Sequence, residues 1–371
     1  MITRRSLLAG TAGLLAAPAF VRRAAAVTRT VVDALGRRVD VPARPERVVV
    51  NFNFEEFTAV SGVDGWHRVV GMSRSLWEGW RPAIFARYTP IIPNLAAMPE
   101  IGNTDDNSFA VEKVIALKPD VLLLAEWSWK VLETQRAQIE AAGIPIVVVD
   151  YNAQSLARHL ASTRAIGAVM GAEARAEELA QLYEARYRDI MNRIAAAAPK
   201  TKPKVHFELG RDGADKIGNS YSGTMWGRIA TLLGAENIAD GKLPGPWGPV
   251  NPELVLAADP DFVFIAGSSW VNKPSAVRTG YDTDLATTRA SLAPYAARPG
   301  WAGLKAAKTG EIHAVEHGLC RTLFDYVAMQ YIAKRLYPTA FADVDPVKSF
   351  AEYHANYLPV AYSGTWMASL A

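Results

Sequence analysis

The stretch EKVIALKPDVLLLA (residues 112–125) and its near copy ELVLAADPDFVFIA (residues 253–266) decide the fold. The two stretches align without a gap at an offset of 141 residues and share a Pro-Asp pair at the same position. Each pattern predicts a short helix, a turn and a continuous apolar strand, because Pro ends a helix and biases the residue before it away from the α region. Continuous apolar strands are typical of parallel sheets covered by helices on both faces. The repeat therefore predicts two α/β units of similar construction.

Other short apolar runs predict further strands around each copy of the repeat. They are residues 47–52, 68–71, 144–151, 205–209 and 311–315. Strands that alternate with helices form parallel sheets. No unit of this kind carries the G-x-G-x-x-G fingerprint, so a dinucleotide-binding fold is not indicated.

One long helical pattern lies between the two copies of the repeat. Residues 172–198 contain no Gly or Pro, and their apolar positions recur with helical spacing. A helix of that length spans about 40 Å, the diameter of a small domain. We expect it to join two lobes as a strut, with a surface helix of one large domain as the alternative.

The amino-terminal segment predicts export. Residues 1–26 combine Arg4 and Arg5 with an apolar run from Leu7 to Val21 and three alanines at 24–26, which is the pattern of a cleavable signal peptide. The apolar run is short for a membrane span. The paired arginines favour a twin-arginine signal, with the general secretory route as the alternative. No lipobox cysteine follows, so we expect a free periplasmic protein.

Composition excludes several classes of function. Removal of residues 1–26 leaves 36 basic and 37 acidic residues, so no excess of positive charge remains to bind nucleic acid. The single cysteine, Cys320, excludes a disulfide framework and a cysteine-rich zinc site. We expect a monomer without a resident cofactor or metal.

Aromatic residues are concentrated directly after the predicted strands. Seven of the ten tryptophans lie in segments 73–88, 126–129, 219–228, 244–249 and 267–274. Ligands of α/β proteins bind outside the carboxyl ends of the strands. Aromatic walls with a few arginines suit a large, flat, partly anionic ligand. The pattern therefore predicts a binding cleft between the lobes.

Motifs in the predicted mature chain resemble those of the helical-backbone (class III) periplasmic binding proteins, the receptors of ABC importers for iron-siderophores, haem and cobalamin. The motifs, in order, are VVDALGRRVDVPARPERVV (31–49), SFAVEKVIALKPDVLLL (108–124), GPVNPELVLAADPDFVFI (248–265), RPGWAGLKAAKTGEIHAV (298–315) and LYPTAFADVD (336–345). The resemblance covers residues 27–371.

The resemblance implies a fold, partners and two docking residues. It implies α/β lobes at 27–171 and 199–371 with parallel-rich sheets, joined by a backbone helix at 172–198, with the ligand cleft between them. The partners are the permease and ATPase of an ABC importer, and the cargo is a metal chelate, with an iron-siderophore as the first expectation. Nickel or another metal chelate, haem and cobalamin remain open. By motif position Glu112 and Glu253 dock on the permease.

Arginines in the predicted cleft are the first candidates for holding an anionic ligand, because a guanidinium offers a bidentate fork to carboxylate or catecholate oxygens. The full set of predicted ligand-binding residues is Arg74, Trp77, Trp80, Arg81, Trp127, Trp129, Glu208, Arg211, Tyr221, Trp226, Trp270, His317 and Arg321.

A rival function rests on one short motif. His313, Glu316 and His317 match the H-x-x-E-H pattern of zinc hydrolases. That chemistry needs both histidines on one helical turn, whereas this stretch is predicted as a strand end. Positions i and i+4 of a strand lie about 13 Å apart, too far to share one zinc. An exported metallohydrolase built on these three residues is the alternative to the binding protein despite this distance, and a ligand-binding sensor subunit with no transport role is a third possibility.

Overall fold

The computed structural model describes residues 27–371, and the signal-peptide prediction for residues 1–26 lies outside them. We refer to the elements before the long central helix as the first lobe and to those after it as the second lobe. The domain limits given above stay a prediction. No helix of residues 27–371 has the length and apolar character that crossing a membrane requires.

The first lobe carries a parallel sheet in the order β4-β3-β5-β6 and a separate two-stranded ribbon. Its strands are β1 (Thr28–Val32), β2 (Arg38–Pro42), β3 (Val48–Val50), β4 (Val69–Met72), β5 (Val121–Ala125) and β6 (Ile146–Val149). Its helices are α1 (Phe54–Ser61), α2 (Ser75–Glu78), α3 (Pro82–Tyr88), α4 (Val111–Ala116), α5 (Glu126–Val131), α6 (Gln135–Ala141) and α7 (Leu156–Met170).

The central helix α8 (Glu173–Ala197) follows, and then the second lobe with a sheet in the order β13-β12-β11-β7-β9 and another ribbon. Its strands are β7 (Lys204–Leu209), β8 (Asn219–Tyr221), β9 (Glu236–Asn237), β10 (Trp247–Pro249), β11 (Phe262–Gly267), β12 (Ile312–Glu316) and β13 (Met367–Ser369). Its helices are α9 (Met225–Leu232), α10 (Pro252–Ala258), α11 (Leu285–Ala296), α12 (Lys305–Lys308), α13 (Tyr326–Leu336) and α14 (Pro346–Tyr357). The sheet is parallel except for β13, which runs antiparallel to β12. The prediction of an α/β fold with parallel-rich sheets is confirmed.

The repeated Pro-Asp turn performs the same task in both lobes. Lys118 and Asp259, at equivalent positions before the proline, adopt left-handed backbone conformations that end α4 and α10. The backbone N–H of Asp120 donates to the carbonyl of Arg47, just before β3, and its carboxylate accepts the N–H of Arg47 at 2.9 Å. Asp261 makes the same pair of contacts with Lys204 at the start of β7. Each Asp therefore fixes the register of its strand against the neighbouring strand.

Helix α8 connects the lobes and packs on both. Ala176, Leu179, Ala180, Tyr183 and Ile190 form its buried stripe. It packs against α7 of the first lobe and α13 of the second. One continuous hydrophobic cluster includes residues of both lobes, such as Val50 and Phe324. Because interiors pack densely, this shared cluster favours small motions between the lobes over wide opening.

Candidate functional site: the cleft between the lobes

Segments that follow the strands of the two sheets contact one another across a cleft. The guanidinium carbon of Arg321, after β12, lies 5.6 Å from the ring centre of Phe52, which follows β3. Arg81, after β4, forms an ion pair with Glu316 at the end of β12 at 3.5 Å. The site lies outside the carboxyl ends of both sheets, as expected for α/β folds.

Three aromatic residues form the first-lobe wall of the cleft. Phe52 packs edge-on against Trp127 with ring centres 4.5 Å apart, and Trp80 lies 6.3 Å from Phe52. Trp80 and Trp127 remain partly exposed. Edge-to-face packing holds aromatic side chains in place at little cost in side-chain entropy. This wall can therefore offer aromatic surface to the organic part of a ligand.

A neutral histidine lies in the second-lobe wall. His317 begins a 3-10 helix (His317–Arg321), and its Nδ1 accepts a hydrogen bond of 3.3 Å from the indole N–H of Trp226. An indole N–H only donates, so Nδ1 carries no proton and the ring proton resides on Nε2. Burial lowers the pKa of His317 well below its usual value, and the nearby positive charge of Arg321 lowers it further. His317 therefore presents a neutral N–H donor.

Tyr221 and Trp270 lie beside His317. The ring centre of Tyr221 is 5.9 Å from that of His317, and the ring centre of Trp270 is 6.1 Å away. Tyr221 is buried, whereas Trp270 is partly exposed. Burial raises the pKa of the Tyr221 hydroxyl, which therefore stays protonated as a donor at neutral pH. The second wall thus combines aromatic surface with uncharged donors.

Arg321 is a cation of the cleft that forms no salt bridge with any residue of 27–371. Its guanidinium lies over the rings of Phe52 and Trp80, at 5.6 and 5.2 Å from their centres. Its buried Nε has no hydrogen-bond partner among residues 27–371. Asp105, an exposed residue whose field reaches Arg321, forms no salt bridge with it. Burial lowers the pKa of Arg321, but an arginine stays charged at neutral pH. A half-buried guanidinium without a carboxylate is suited to an anionic ligand.

Arg81 differs, because two carboxylates hold it below the cleft. It forms ion pairs with Glu55 of the first lobe and Glu316 of the second, and all three side chains are buried. Gly318 makes room for it, since an added Cβ would come within 2.5 Å of the guanidinium carbon. These ion pairs do not favour the predicted role of Arg81 as a ligand anchor, which stays a prediction, since its Nε and one Nη have no hydrogen-bond partner within residues 27–371. The ion pairs of Arg81 link the lobes.

Glu56 makes a second link across the base of the cleft. Its carboxylate accepts the backbone N–H of Leu323, which belongs to the other lobe, at 3.0 Å. Burial raises the pKa of Glu56 to about 7, and the neighbouring charge of Glu55 adds to the rise. The protonation state of Glu56 thus changes near neutral pH.

Two of the predicted tryptophans belong to the core. Trp77 stacks on Phe54 at 4.9 Å and on Trp66 at 5.9 Å and is fully buried. Trp226 stacks on Phe207 at 5.5 Å, also fully buried, and acts on the cleft only through His317. Both therefore pack in the core of this structure, although Trp77 also lines a small cavity beside Arg321, and their predicted ligand roles stay predictions.

Glu208 and Trp129 also have partners within the protein. Glu208 receives two hydrogen bonds from Arg298, at 2.8 and 2.9 Å. Burial acts to raise its pKa, but the contacts with His206 and Arg298 outweigh burial and lower the pKa to about 2. Trp129 is clamped between the guanidinium groups of Arg37 and Arg136, at 3.8 and 4.0 Å. These two predictions are corrected because internal ion and cation–π pairs occupy both side chains.

The remaining predicted arginines lie at the edge of the cleft. Arg74 pairs with Glu78 at 3.0 Å and donates to the carbonyl of Ala96, so internal contacts hold it. Arg211 is exposed, and its one salt bridge within the described part of the chain is to the adjacent Asp212, at 3.1 Å. Exposed pairs of this kind are weak. Arg211 is therefore free to turn toward a ligand at little cost, whereas Arg74 is not.

The zinc-hydrolase alternative is not supported by the geometry of its motif. His313 is buried in β12, where Nδ1 is 3.0 Å from the Tyr331 hydroxyl and Nε2 is 2.8 Å from Glu311. His317 instead lies in the cleft wall. Residues 27–371 contain no cluster of three His, Cys, Asp or Glu side chains able to hold a metal ion. Cys320 is buried, and burial raises the pKa of its thiol, so the thiolate is disfavoured.

The predicted docking residues occupy equivalent places. Glu112 lies in the first turn of α4 and Glu253 in the first turn of α10, and both are exposed.

Phe52 is a wall residue that the sequence patterns did not single out. Its position directly after β3, in the three residues 51–53 between the strand and α1, was the available signal.

Comparisons with known proteins agree on one family. The sequence profile of the periplasmic binding protein family matches residues 85–316. The crystal structure of the TroA-like periplasmic binding protein FepB from Veillonella parvula is 35% identical, covers 92% of this chain and 99% of that chain, and superposes with a TM-score of 0.86.

Two more distant relatives differ in their stated ligands. The molybdate-binding protein MolA of Haemophilus influenzae is 23% identical in an alignment covering 90% of this chain and 92% of MolA. Its structure, solved as the cognate binding protein of an ABC transporter, gives a TM-score of 0.68 and shows likeness of fold. A vitamin B12-binding protein from Pectobacterium atrosepticum is 30% identical over 43% of this chain and 55% of its own length. The chain thus spans about half the length of several curated relatives.

Proposed function

The chain belongs to the periplasmic binding protein family, and from that premise we propose that it captures an anionic metal chelate for an ABC importer. An iron-siderophore is the first candidate for the cargo. The observation that carries the proposal is Arg321, a half-buried guanidinium without a carboxylate partner among the described residues, facing the aromatic pair Phe52 and Trp80.

The charges of the cleft favour an anion over a neutral ligand. Arg321 supplies a cation, and His317 and Tyr221 supply uncharged donors. Hydrogen bonds to charged groups are worth about 1.5–3 kcal/mol each, roughly twice the neutral value. An anion also recovers the cost of keeping Arg321 half buried. Catecholate oxygens or the propionates of haem fit this donor set.

The aromatic residues favour a ligand with an organic shell. Trp80, Trp127 and Trp270 keep part of their surface exposed at the cleft. A bare oxyanion such as molybdate would leave this surface unused, whereas a catecholate or a porphyrin would cover it. The proposed binding set is therefore Phe52, Trp80, Trp127, Arg211, Tyr221, Trp270, His317 and Arg321.

Delivery to the membrane would follow from docking of Glu112 and Glu253 on arginines of the permease. Opposite charges at the rim of an interface favour orientation and rapid encounter. We propose that residues 1–26 direct export and are removed, and that the mature protein acts as a monomer without enzymatic activity.

A binding screen with purified residues 27–371 tests the proposal. Tryptophan emission is followed during titration with a ferric catecholate, haem, an uncharged ferric hydroxamate, cyanocobalamin and molybdate. We expect saturable quenching with an anionic chelate and weaker or no binding of the neutral ones. Preference for cyanocobalamin or the neutral hydroxamate would contradict the anion assignment, and preference for molybdate would contradict the role of the aromatic walls.

A further inference from the structure

A preformed groove lies on the flank of the second lobe, outside the cleft. It has a volume of about 530 Å³. The residues that give it its apolar character are Ile217, Pro252, Leu256, Pro294, Pro299 and Trp301. Leu256 and Ile217 are 41% and 37% exposed, which is high for large apolar side chains. Exposed apolar surface arranged as a groove indicates a contact site.

Arg298 holds the walls of the groove in place. Its Nε donates to the carbonyl of Ala214 at 2.8 Å and one Nη donates to that of Lys216 at 2.9 Å, which fixes the loop after β7 against the end of α11. Its two Nη groups also bind Glu208. Because the guanidinium has internal partners on several sides, the groove does not depend on a ligand for its shape.

The internal repeat shows that the groove is a feature of one lobe. Pro252 and Leu256 of α10 correspond to Val111 and Ile115 of α4 at the offset of 141 residues. Val111 is only 5% exposed and Ile115 is half-buried, whereas Pro252 and Leu256 are exposed. The same scaffold position is covered in the first lobe and open in the second. The open groove is therefore not a consequence of the scaffold that the two lobes share.

An acidic residue lies beside each wall of the groove, and one exposed lysine, Lys216, follows Asp215. Glu253 is three residues from Leu256 on α10, so the two side chains are neighbours on the helix surface. Asp215 lies in the opposite wall. The basic residue of the wall, Arg298, is already neutralised by Glu208. A segment that combines an apolar side chain with positive charge is therefore complementary to the α10 side of the groove, where Glu253 lies.

We infer that this groove, defined by Ile217, Pro252, Leu256 and Pro299, receives an apolar side chain from a basic periplasmic segment of the importer's permease. The inference rests on the proposed function, which places Glu253 at the docking surface. The groove would add a contact that is insensitive to salt beside an ion pair that salt screens. Docking would then be stronger on the second lobe than on the first.

Photo-crosslinking identifies the partner. p-Benzoylphenylalanine is placed at Ile217, Glu112 or Glu253 in the host cell, with Val347, which is 47% exposed on α14, as the control position. The expected result is a crosslink from Ile217 to a multi-span membrane protein that positions 112 and 253 also reach, and none from position 347. Crosslinks from 112 and 253 without one from 217 would overturn the groove and leave the transport function standing. If none of positions 217, 112 and 253 crosslinks to a membrane protein, both the groove contact and the transport function are overturned. A crosslink from position 217 to a second copy of this chain would overturn the permease assignment.

The strength of the groove contact is measured as the affinity of the protein for the permease complex identified by crosslinking, reconstituted in nanodiscs. Leu256→Gln is expected to weaken binding about tenfold at both low and high salt, because it removes apolar burial without changing charge. Glu253→Gln should weaken it mainly at low salt. Val347→Asn, the matched control, should leave it unchanged, and chelate affinity should be unchanged in all three. Unchanged permease affinity of Leu256→Gln would overturn the inference.

Discussion

Replacement of Arg321 by Met separates a ligand-binding arginine from a structural one. In the cargo-free protein the guanidinium is half buried without a carboxylate partner in the described chain, so its removal deletes a desolvated charge and loses no ion pair. The unfolding free energy of Arg321→Met should therefore be unchanged or raised by up to about 1 kcal/mol. Arg81→Met should lower it by about 3–5 kcal/mol, because it leaves Glu55 and Glu316 buried without their cation.

Arg321→Met should weaken cargo binding strongly, in contrast to its small effect on stability. Loss of one or two charge-assisted hydrogen bonds costs about 3 kcal/mol, which is roughly a hundredfold in Kd. Urea denaturation gives the stability, and quenching of tryptophan emission by the anionic chelate selected in the screen gives the affinity. Arg44→Met, at a side chain that is 85% exposed and remote from the site, is the control and should change neither. A ligand-binding role for Arg321 is excluded if Arg321→Met destabilises the free protein as Arg81→Met does, or if it binds the chelate as tightly as the unmodified protein.

Three further predictions follow from the site. Trp77→Ala should lower the unfolding free energy by about 3–5 kcal/mol through loss of core packing. Trp127→Ala should instead weaken chelate binding about tenfold with little loss of stability. The reverse pattern in urea melts and chelate titrations would contradict the assignment of the two residues. The folded pKa of Glu56, about 7, lies above its ordinary value of 4.5, so its contribution to stability is present below pH 4.5 and is lost as the pH rises through 7. The free energy of unfolding of Glu56→Gln should accordingly exceed that of the unmodified protein by up to about 3 kcal/mol at pH 8 and by little at pH 4. Parallel pH profiles of the two melting temperatures would show that Glu56 does not titrate in this range. Replacement of both Glu112 and Glu253 by Gln should leave chelate affinity intact and strongly reduce uptake of the chelate by cells. Full chelate uptake would show that these two residues are not needed for docking.

The fold could be predicted because its determinants are local. The Pro-Asp turn at 119–120 and its copy at 260–261 end a helix and begin a strand through backbone restrictions that act over a few residues. The apolar periodicity of residues 172–198 predicted a helix, and the structure has α8 at Glu173–Ala197. Strand ends differ from the predicted ones by a few residues, since buried residues continue past the last residue of a strand, as the polar Asn51 and the apolar Phe52 do after β3.

The binding residues could be predicted only in part, because a side chain's role depends on distant partners. Arg81 and Arg321 both lie in segments that follow strands, and nothing local distinguishes them. Arg81 is taken up by Glu55 and Glu316, which are far from it in sequence, and Arg321 is not. Trp77 and Trp80 are three residues apart, yet the first is enclosed by Phe54 and Trp66 and the second borders the cleft. Tertiary packing determines such differences, and periodicity does not report it.

Native mass spectrometry of the mature protein purified from its own periplasm, with metal analysis of the same sample, shows which cargo the cleft holds. We expect a bound anionic chelate of a few hundred daltons or more that leaves together with its metal on denaturation, and that is absent or depleted from Arg321→Met prepared in the same way. A neutral cargo, or tightly held zinc without an organic ligand, would contradict this expectation.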